Sequence, residues 1–416
     1  MNILIIGFGF VGKATYLLNN KDVNIFVYDI NPMLSIPQNI ILEDVVKQVD
    51  LIFISLPTPL NIDGTCYTKL IDDVIAKIDH EYIIIRSTIP VGYCDSKNVF
   101  FMPEFLTEKN WKDDFINNKH WIFGVYETCP TDKKIIFINR ITQLFNSAYE
   151  NKSINYNDII FCTNKEAEMT KLVKNTFLAT KVSYFNEIYD LTQRLNINYN
   201  KVIELVKSDD RIGISHMDCP GHDGKRGYGG TCFPKDTNSM YYQMIKYDID
   251  TYIFEANLYR NEIIDRPKRD WLGDKGRTNL GDNKFKIILV ISNGDIKDIE
   301  DAELCNKLSV NNKVIFITNN SINDLINDNL KLLKFNLSKK IFLPYLDEIY
   351  LNIKNKNIND ISKILIEFIN ILDLAKEQNA IINILGYDVN TFFSIILNNL
   401  LNEYKNKYNL TYNFIY

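Results

Sequence analysis

The sequence has no arginine after Arg277, although the last third of the chain still follows. It holds only four histidines and no Cys-x-x-Cys pair, so the common zinc arrangements have nothing to build on and no metal is expected. The seven cysteines (66, 94, 129, 162, 219, 232 and 305) are scattered and odd in number. That spacing argues against a disulfide framework and fits reduced thiols in a cytosol-like compartment, so the expected location is the cytoplasm. Net charge is −5 with no basic run, and nucleic acid is not an expected partner. No apolar stretch approaches the roughly 20 residues that span a bilayer, so no membrane role is expected either. The apolar start, MNILIIGFGFVG, lacks a basic leader and reads as a buried strand rather than a signal peptide. What remains is 416 residues with 46% apolar and 24% charged content, ordinary for a globular protein of two or three domains.

The start of the chain carries the clearest pattern. Asn2 to Ile6 is a short apolar run suited to a strand buried on both faces. It flows into Gly7-Phe8-Gly9-Phe10-Val11-Gly12, then a helical stretch from Lys13 to Leu18, and a second strand, Val23 to Tyr28, ends on Asp29. A Gly-x-Gly-x-x-Gly loop between strand and helix, with an acid about 20 residues on, is the dinucleotide-binding fingerprint in its proper context. Gly7 makes the turn, Gly9 admits a pyrophosphate and Gly12 lets helix and strand pack, while Phe8, Phe10 and Val11 complete the cofactor loop. Asp29 would accept hydrogen bonds from ribose hydroxyls and repel a 2′-phosphate, which favours NAD over NADP.

More strands follow, each ending on small polar residues. Asp50 to Leu56 ends at Pro57-Thr58-Pro59, Tyr82 to Arg86 at Ser87-Thr88-Ile89-Pro90, and Phe100 to Met102 at Pro103-Glu104-Phe105-Leu106-Thr107-Glu108. Open parallel sheets bind ligands at such ends, so the three read as one cleft. From about Asn164, a candidate cap, the pattern turns helical and continues to about Leu195. Lys171 and Asn175 share a face of this helix, either as solvated surface or as an oxyanion-stabilising pair. In GYGGTCFPKD, Gly227 to Asp236, a thiol stands behind glycines and ahead of a Lys-Asp pair. Lys235 could lower the pKa of Cys232, so a reactive thiolate and a structural turn both stand as readings. A further helix is expected after Asp236, interrupted near Asp248–Asp250, resuming from Phe254 to Ile264 and stopped by Pro267.

Jointly these segments resemble the UDP-glucose/GDP-mannose dehydrogenases, and within them the members acting on UDP-glucose. The resemblance rests on GFGFVG, SLPTPLNIDG (Ser55–Gly64), RSTIPVG (Arg86–Gly92), PEFLTE (Pro103–Glu108), EAEMTKLVKNTFLATKVSYFNE (Glu166–Glu187), RIG (Arg211–Gly213), GYGGTCFPKD and RDWLGDKGR (Arg269–Arg277). It implies oxidation of a sugar C6 alcohol to a carboxylate by two NAD, with the carbon held on Cys232 as thiohemiacetal and then thioester. It also implies that Lys171 and Asn175 stabilise the oxyanion, Asp236 orients or deprotonates water, and Thr88 positions a water. Glu104 becomes a proton shuttle for thioester hydrolysis. Glu104, Phe105, Leu106, Thr107 and Glu108 would line the substrate, with Gly229 allowing the sugar against the backbone. Pro57, Thr58, Thr88, Glu108 and Lys235 would lie at the cofactor. Arg211 resembles an arginine that reaches the sugar nucleotide from a neighbouring subunit, which implies a homodimer or higher oligomer.

The expected architecture is α/β in three parts. Residues 1–160 form a Rossmann-like NAD-binding domain, 161–267 a central long-helix catalytic and dimerisation region, 268–283 a linker, and 284–416 a divergent UDP-binding-like α/β domain. In the last part, strands around Lys286–Ile291 and Lys313–Ile317 flank a helix around Ala302–Leu308, and the tail beyond about Lys354 has helical apolar spacing. ISNGDIKDIEDAEL lacks the nucleotide-binding elements the family carries there. The diphosphate would then rely on lysines such as Lys297, on backbone amides, or on Arg211 and Arg226. A dehydrogenase of GDP-mannose or a UDP-N-acetylhexosamine, and a non-catalytic nucleotide-sugar-binding relative, remain the alternatives.

Overall fold

The computed structural model describes residues 1–273 apart from 62–64, 231 and 269, and beyond 273 chiefly the strands named below. It opens with β1 (Asn2–Ile6), α1 (Phe10–Tyr16), β2 (Asn24–Tyr28), α2 (Leu42–Val46) and β3 (Leu51–Ile54). There follow β4 (Leu60–Asn61), α3 (Lys69–Ile75), β5 (Ile83–Ile85), α4 (Tyr93–Lys97) and β6 (Phe100–Phe101). Next come α5 (Trp111–Ile116), β7 (His120–Val125), α6 (Thr131–Glu150) and β8 (Asp158–Thr163).

Seven of these strands form one sheet in the order β2-β1-β3-β5-β6-β7-β8, parallel except where β6 meets β7. β1 lies between β2 and β3, with Ile3 opposite both Ile25 and Leu51. Its side chains alternate between two cores. Ile3 and Ile5 pack with Phe53, Trp121, Phe137 and Phe145 on one face, and Leu4 and Ile6 with Ile52, Ile54, Ile71 and Ile85 on the other. A strand covered on both sides must be apolar throughout, which is why Asn2–Ile6 reads as a continuous run.

The sheet gives way to helices at Thr163. α7 (Asn164–Arg194) runs without glycine or proline and is followed by α8 (Tyr199–Val206), α9 (Phe233–Lys246) and α10 (Tyr252–Tyr259), the last continuing into a π-helical turn, Arg260–Asp265. The expected boundary near residue 160 therefore falls inside β8. The cap of α7 is Thr163 rather than Asn164: Thr163 Oγ1 accepts from Glu166 N, and the Glu166 carboxylate accepts from Thr163 N at 2.8 Å. This capping box satisfies two of the helix's open donors. Asn164 instead donates to Asp95 and to the Val99 carbonyl, while Glu168 accepts from Gly92 N and Cys94 N. Those bonds fix the first turns of α7 against α4 and the residues flanking it. α9 also starts earlier than expected, at Phe233, because Pro234 sits in its first turn, where a missing N–H costs nothing.

Part of the stretch expected as a linker is held down. Asp270 pairs with Lys225 and Arg266, and Trp271 is buried. β9 (Thr278–Asn279) pairs with β4. Beyond it, β10 (Ile287–Ser292), β11 (Lys313–Thr318), β12 (Leu330–Lys334), β13 (Glu348–Asn352), β14 (Ile381–Leu385) and β15 (Tyr412–Ile415) form a parallel sheet in the order β12-β11-β10-β13-β14-β15. That is the doubly wound order, reversing direction at β10. β14 and β15 lie where helical spacing was read, since a short apolar run such as Ile381–Leu385 fits either element. The helix expected around Ala302–Leu308 lies outside the described residues. Among the described residues no helix is long and apolar enough to cross a membrane.

An ion-pair network ties the central helices together. Asp190 on α7 pairs with Arg226 and Arg260, and the fully buried Asp265 pairs with the same two arginines. Hydrogen bonds from Arg226, reinforced by Arg260 against the opposing effect of burial, hold the Asp190 carboxyl at about 2. Because this lies below the unfolded value of about 3.9, the stabilisation is complete above roughly pH 4 and is lost as pH falls toward 2. Urea unfolding at stepped pH should show Asp190→Asn less stable at pH 6, with a shallower loss between pH 4 and 2 than the unsubstituted protein. Parallel curves would refute this.

Candidate active site

The C-terminal ends of β1, β3 and β5, the loop after β6 and the start of α9 enclose a cleft of about 940 Å³. Gly7, Phe8, Gly9, Phe10, Val11 and Asp29 line one side. Pro57, Thr58, Thr88, Glu104, Glu108, Cys232 and Lys235 line the other. The Gly-rich loop turns on Gly7, at φ +92°, and is braced by Asp29, whose carboxylate accepts from Phe8 N at 2.7 Å and Asn31 N at 2.9 Å. A Cβ added at Gly9 would meet nothing within 4 Å, so the backbone there is bare toward open space. Gly12 lies under the loop without bordering the cleft, where a Cβ would collide with the Gly7 carbonyl. Thr58 Oγ1 and Cys66 Sγ both donate to the Thr88 carbonyl, which locks two strand-end loops together.

Behind this lining sits a buried polar group. Lys171 Nζ donates to Glu104 Oε1 at 2.6 Å and to the Glu104 carbonyl at 2.7 Å, and Glu104 Oε2 accepts from Leu106 N at 2.8 Å. Burial opposes the charge on Lys171, but Glu104, helped by Cys232 and Asp236, holds its pKa above the ordinary lysine value. One turn on, Asn175 Nδ2 donates to Asp236 Oδ2 at 2.5 Å, and Lys235 Nζ lies 2.8 Å from Asp236 Oδ1. Lys235 is likewise raised: burial works against its charge and Asp236 outweighs it. Two ammonium groups thus act on Cys232, which occupies the N-cap of α9. Cations and a helix N-terminus are the surroundings in which a cysteine serves as a nucleophile. The i, i+4 spacing of Lys171 and Asn175 serves this site and not a solvated face; both are buried.

Other expected residues are not brought here. Arg211, expected to reach the site of a neighbouring subunit, is exposed and paired with Asp209 in its own chain. Arg226 is spent on Asp190 and Asp265, and a Cβ at Gly229 would meet the Arg266 guanidinium at 2.7 Å, so that glycine makes room for an arginine within the chain. Thr107 donates from both its N and its hydroxyl to Asp114. Phe105 borders a separate hollow, its ring under the Lys174 ammonium at 3.4 Å, and Leu106 packs on the core. Lys297 lies outside the described residues. Sequence reasoning missed Arg86, a buried cation lining the cleft, and Ile30 with the α3 residues Leu70, Asp73, Val74 and Lys77, which also line it. Arg86 stood in a quoted motif, but nothing local marks a strand-end arginine as buried.

Comparison with known proteins decides what this cleft belongs to. The family model for the NAD binding domain of the UDP-glucose/GDP-mannose dehydrogenase family matches residues 37–146, and that for its central domain matches residues 165–262, together half of the chain. A UDP-glucose 6-dehydrogenase of Campylobacter jejuni is 30% identical over 302 residues, covering 63% of this chain and 72% of that protein. The chain belongs to the UDP-glucose/GDP-mannose dehydrogenase family. A UDP-glucose 6-dehydrogenase of Streptococcus pneumoniae is 29% identical over 259 residues, 59% of this chain and 63% of its own length. Among solved structures, a UDP-glucose dehydrogenase from the archaeon Pyrobaculum islandicum shares the fold with a TM-score of 0.52, at 19% identity, over 84% of this chain and 89% of that one.

As a member of this family the protein is an NAD-dependent nucleotide-sugar dehydrogenase, and its cleft fits the cofactor. The bare backbone at Gly9, the positive φ of Gly7 and an acid at the end of β2 are what a pyrophosphate and a ribose diol require. Asp29 braces the loop through Phe8 and carries the negative charge that disfavours a 2′-phosphate. Asp29→Ala should therefore raise the NAD dissociation constant about ten-fold and narrow the preference over NADP. Fluorescence titration of both cofactors checks this, and a wild-type protein preferring NADP would overturn it.

Proposed function

We propose that the protein oxidises UDP-glucose to UDP-glucuronate in two NAD-dependent steps, with the sugar carbon held covalently on Cys232. The observation that carries this reading is Cys232 at the N-cap of α9, on the cleft wall, with Lys171 and Lys235 acting on it. NAD, when bound, supplies hydride acceptance for both oxidations. The protein's own residues do the rest. Cys232 Sγ adds to the aldehyde carbon, and the Lys171 ammonium with the second Asn175 N–H neutralises the oxygen anion formed. The adduct is a thiohemiacetal, and the second oxidation removes its hydride to leave a thioester; water oriented by Asp236 opens this, passing its proton to Glu104, and the thiolate leaves. Glu108 and Thr88, on the same wall, fit contacts to the ligands.

The choice of UDP-glucose over GDP-mannose or a UDP-N-acetylhexosamine is supported by the named relatives. Purified protein should release two NADH per UDP-glucose consumed and neither of the other sugars should compete. Cys232→Ser should abolish carboxylate formation while NAD binding stays within about two-fold, because the cofactor loop is built elsewhere. A serine variant forming UDP-glucuronate at near wild-type rate would refute the covalent route.

An oligomer is proposed on separate grounds. Met169, Val173, Phe177, Tyr184 and Leu191 project from one face of α7 and are exposed, Phe177 by 65%. Such an apolar stripe on a long helix suits a second copy of the same chain. Light scattering should give at least twice the chain mass of 48.5 kDa. Phe177→Glu should shift it toward the single chain, and a monodisperse monomer in the unsubstituted protein would defeat the proposal.

A further inference from the structure

One turn of the chain grips both flanks of Cys232. Asn261 and Glu262, consecutive residues of the π-helical turn Arg260–Asp265, are both buried. Asn261 Oδ1 accepts from Tyr228 N at 2.7 Å, and its Nδ2 donates to the Tyr228 carbonyl at 3.0 Å. Glu262 Oε1 accepts from Asn238 Nδ2 at 3.0 Å. Tyr228 stands four residues before Cys232 in the glycine loop, and Asn238 six residues after it on α9.

A primary amide carries an acceptor and two donors, and Asn261 uses one of each on the backbone of a single residue, as a neighbouring strand would. Gly227, at φ +63°, permits the approach: a Cβ there would collide with Asn261 Oδ1 and lie 3.1 Å from Asp265 Cβ. Gly227 N in turn donates to Asn186 Oδ1 on α7 at 3.2 Å. The Asn261 carbonyl accepts from Arg266 N at 2.8 Å, the five-residue span of a π-turn. Satisfying the buried backbone of Tyr228 would account for Asn261 alone. It would not account for the next residue reaching α9 beyond the thiol.

We infer that Asn261 is a positioning residue, which sets Cys232 Sγ against the aldehyde carbon by holding the loop ahead of it while Glu262 holds α9 behind. It touches neither substrate nor cofactor in this role. The inference rests on the proposed covalent route and deepens it. A misplacement of about 1 Å can slow a reaction about a hundred-fold, and here the loss should fall on the step that uses the thiol.

The C6 aldehyde of UDP-glucose isolates that step. Its oxidation to the carboxylate by NAD requires the thiol. Its reduction to the alcohol, with hydride from NADH and a proton from water, reverses the first oxidation and does not. Asn261→Leu, which keeps the shape and removes both bonds, should lower the kcat of aldehyde oxidation about ten-fold. Aldehyde reduction and the NAD dissociation constant should stay within about two-fold. Equal falls in both directions, or no fall in oxidation, would overturn the inference. Should the leucine variant fail to fold, Asn261→Ser, polar but too short to span both bonds, is read by the same two rates. Cys232→Ser is the control. If it separates the two rates and the Asn261 variants do not, the inference alone falls. If Cys232→Ser oxidises the aldehyde at near wild-type rate, the covalent route falls and the inference with it.

Discussion

The buried pair of Lys171 and Glu104 is the constraint on which the site depends. It joins the long central helix to the loop after β6, and so joins the two parts of the chain that have to cooperate. Each charge is costly alone at that depth, because removing one partner of a buried pair typically costs about 3–5 kcal/mol. The pair therefore fixes the height of α7 against the sheet. Asn175, one turn further along, then reaches Asp236, and Asp236 sets the charge of Lys235 beside Cys232. A chain of four polar residues follows from one ion pair.

The scaffold explains how this geometry survives in a buried site. Asn164 bolts the first turns of α7 to α4, and Glu168 bolts them to Gly92, at the end of the loop that carries Thr88. Farther down the helix Asp190 gathers Arg226 and Arg260, and Asp265 completes that cluster at the π-helical turn. π-turns recur near functional sites. Here the turn puts Asp265 under both arginines. Arg226, which looked available for a diphosphate, is consequently structural.

Much of this was legible in the sequence, for identifiable reasons. Strands covered on both faces announce themselves as apolar runs, and the Gly-rich loop between β1 and α1 has a fixed spacing. The α7 segment shows its length because no breaker interrupts it. What stayed hidden depends on partners distant in the chain. Arg226 finds Asp190, Thr107 finds Asp114, and Gly229 faces Arg266, none of which local pattern can reveal. Arg86 is the same kind of case, since a charged residue ending an apolar strand ordinarily faces water. α9 starts at Phe233 and not after Asp236, with Pro234 in its first turn, where proline is well suited.

The most direct test of the covalent route is the mass of the protein caught in the act. Glu104→Gln chain would be quenched in acid while UDP-glucose and NAD are both in excess, then digested and its peptides weighed. The account predicts a sugar-nucleotide adduct on the peptide carrying Cys232, absent when NAD is left out. A Cys232 peptide that stays unmodified while NADH accumulates would contradict it.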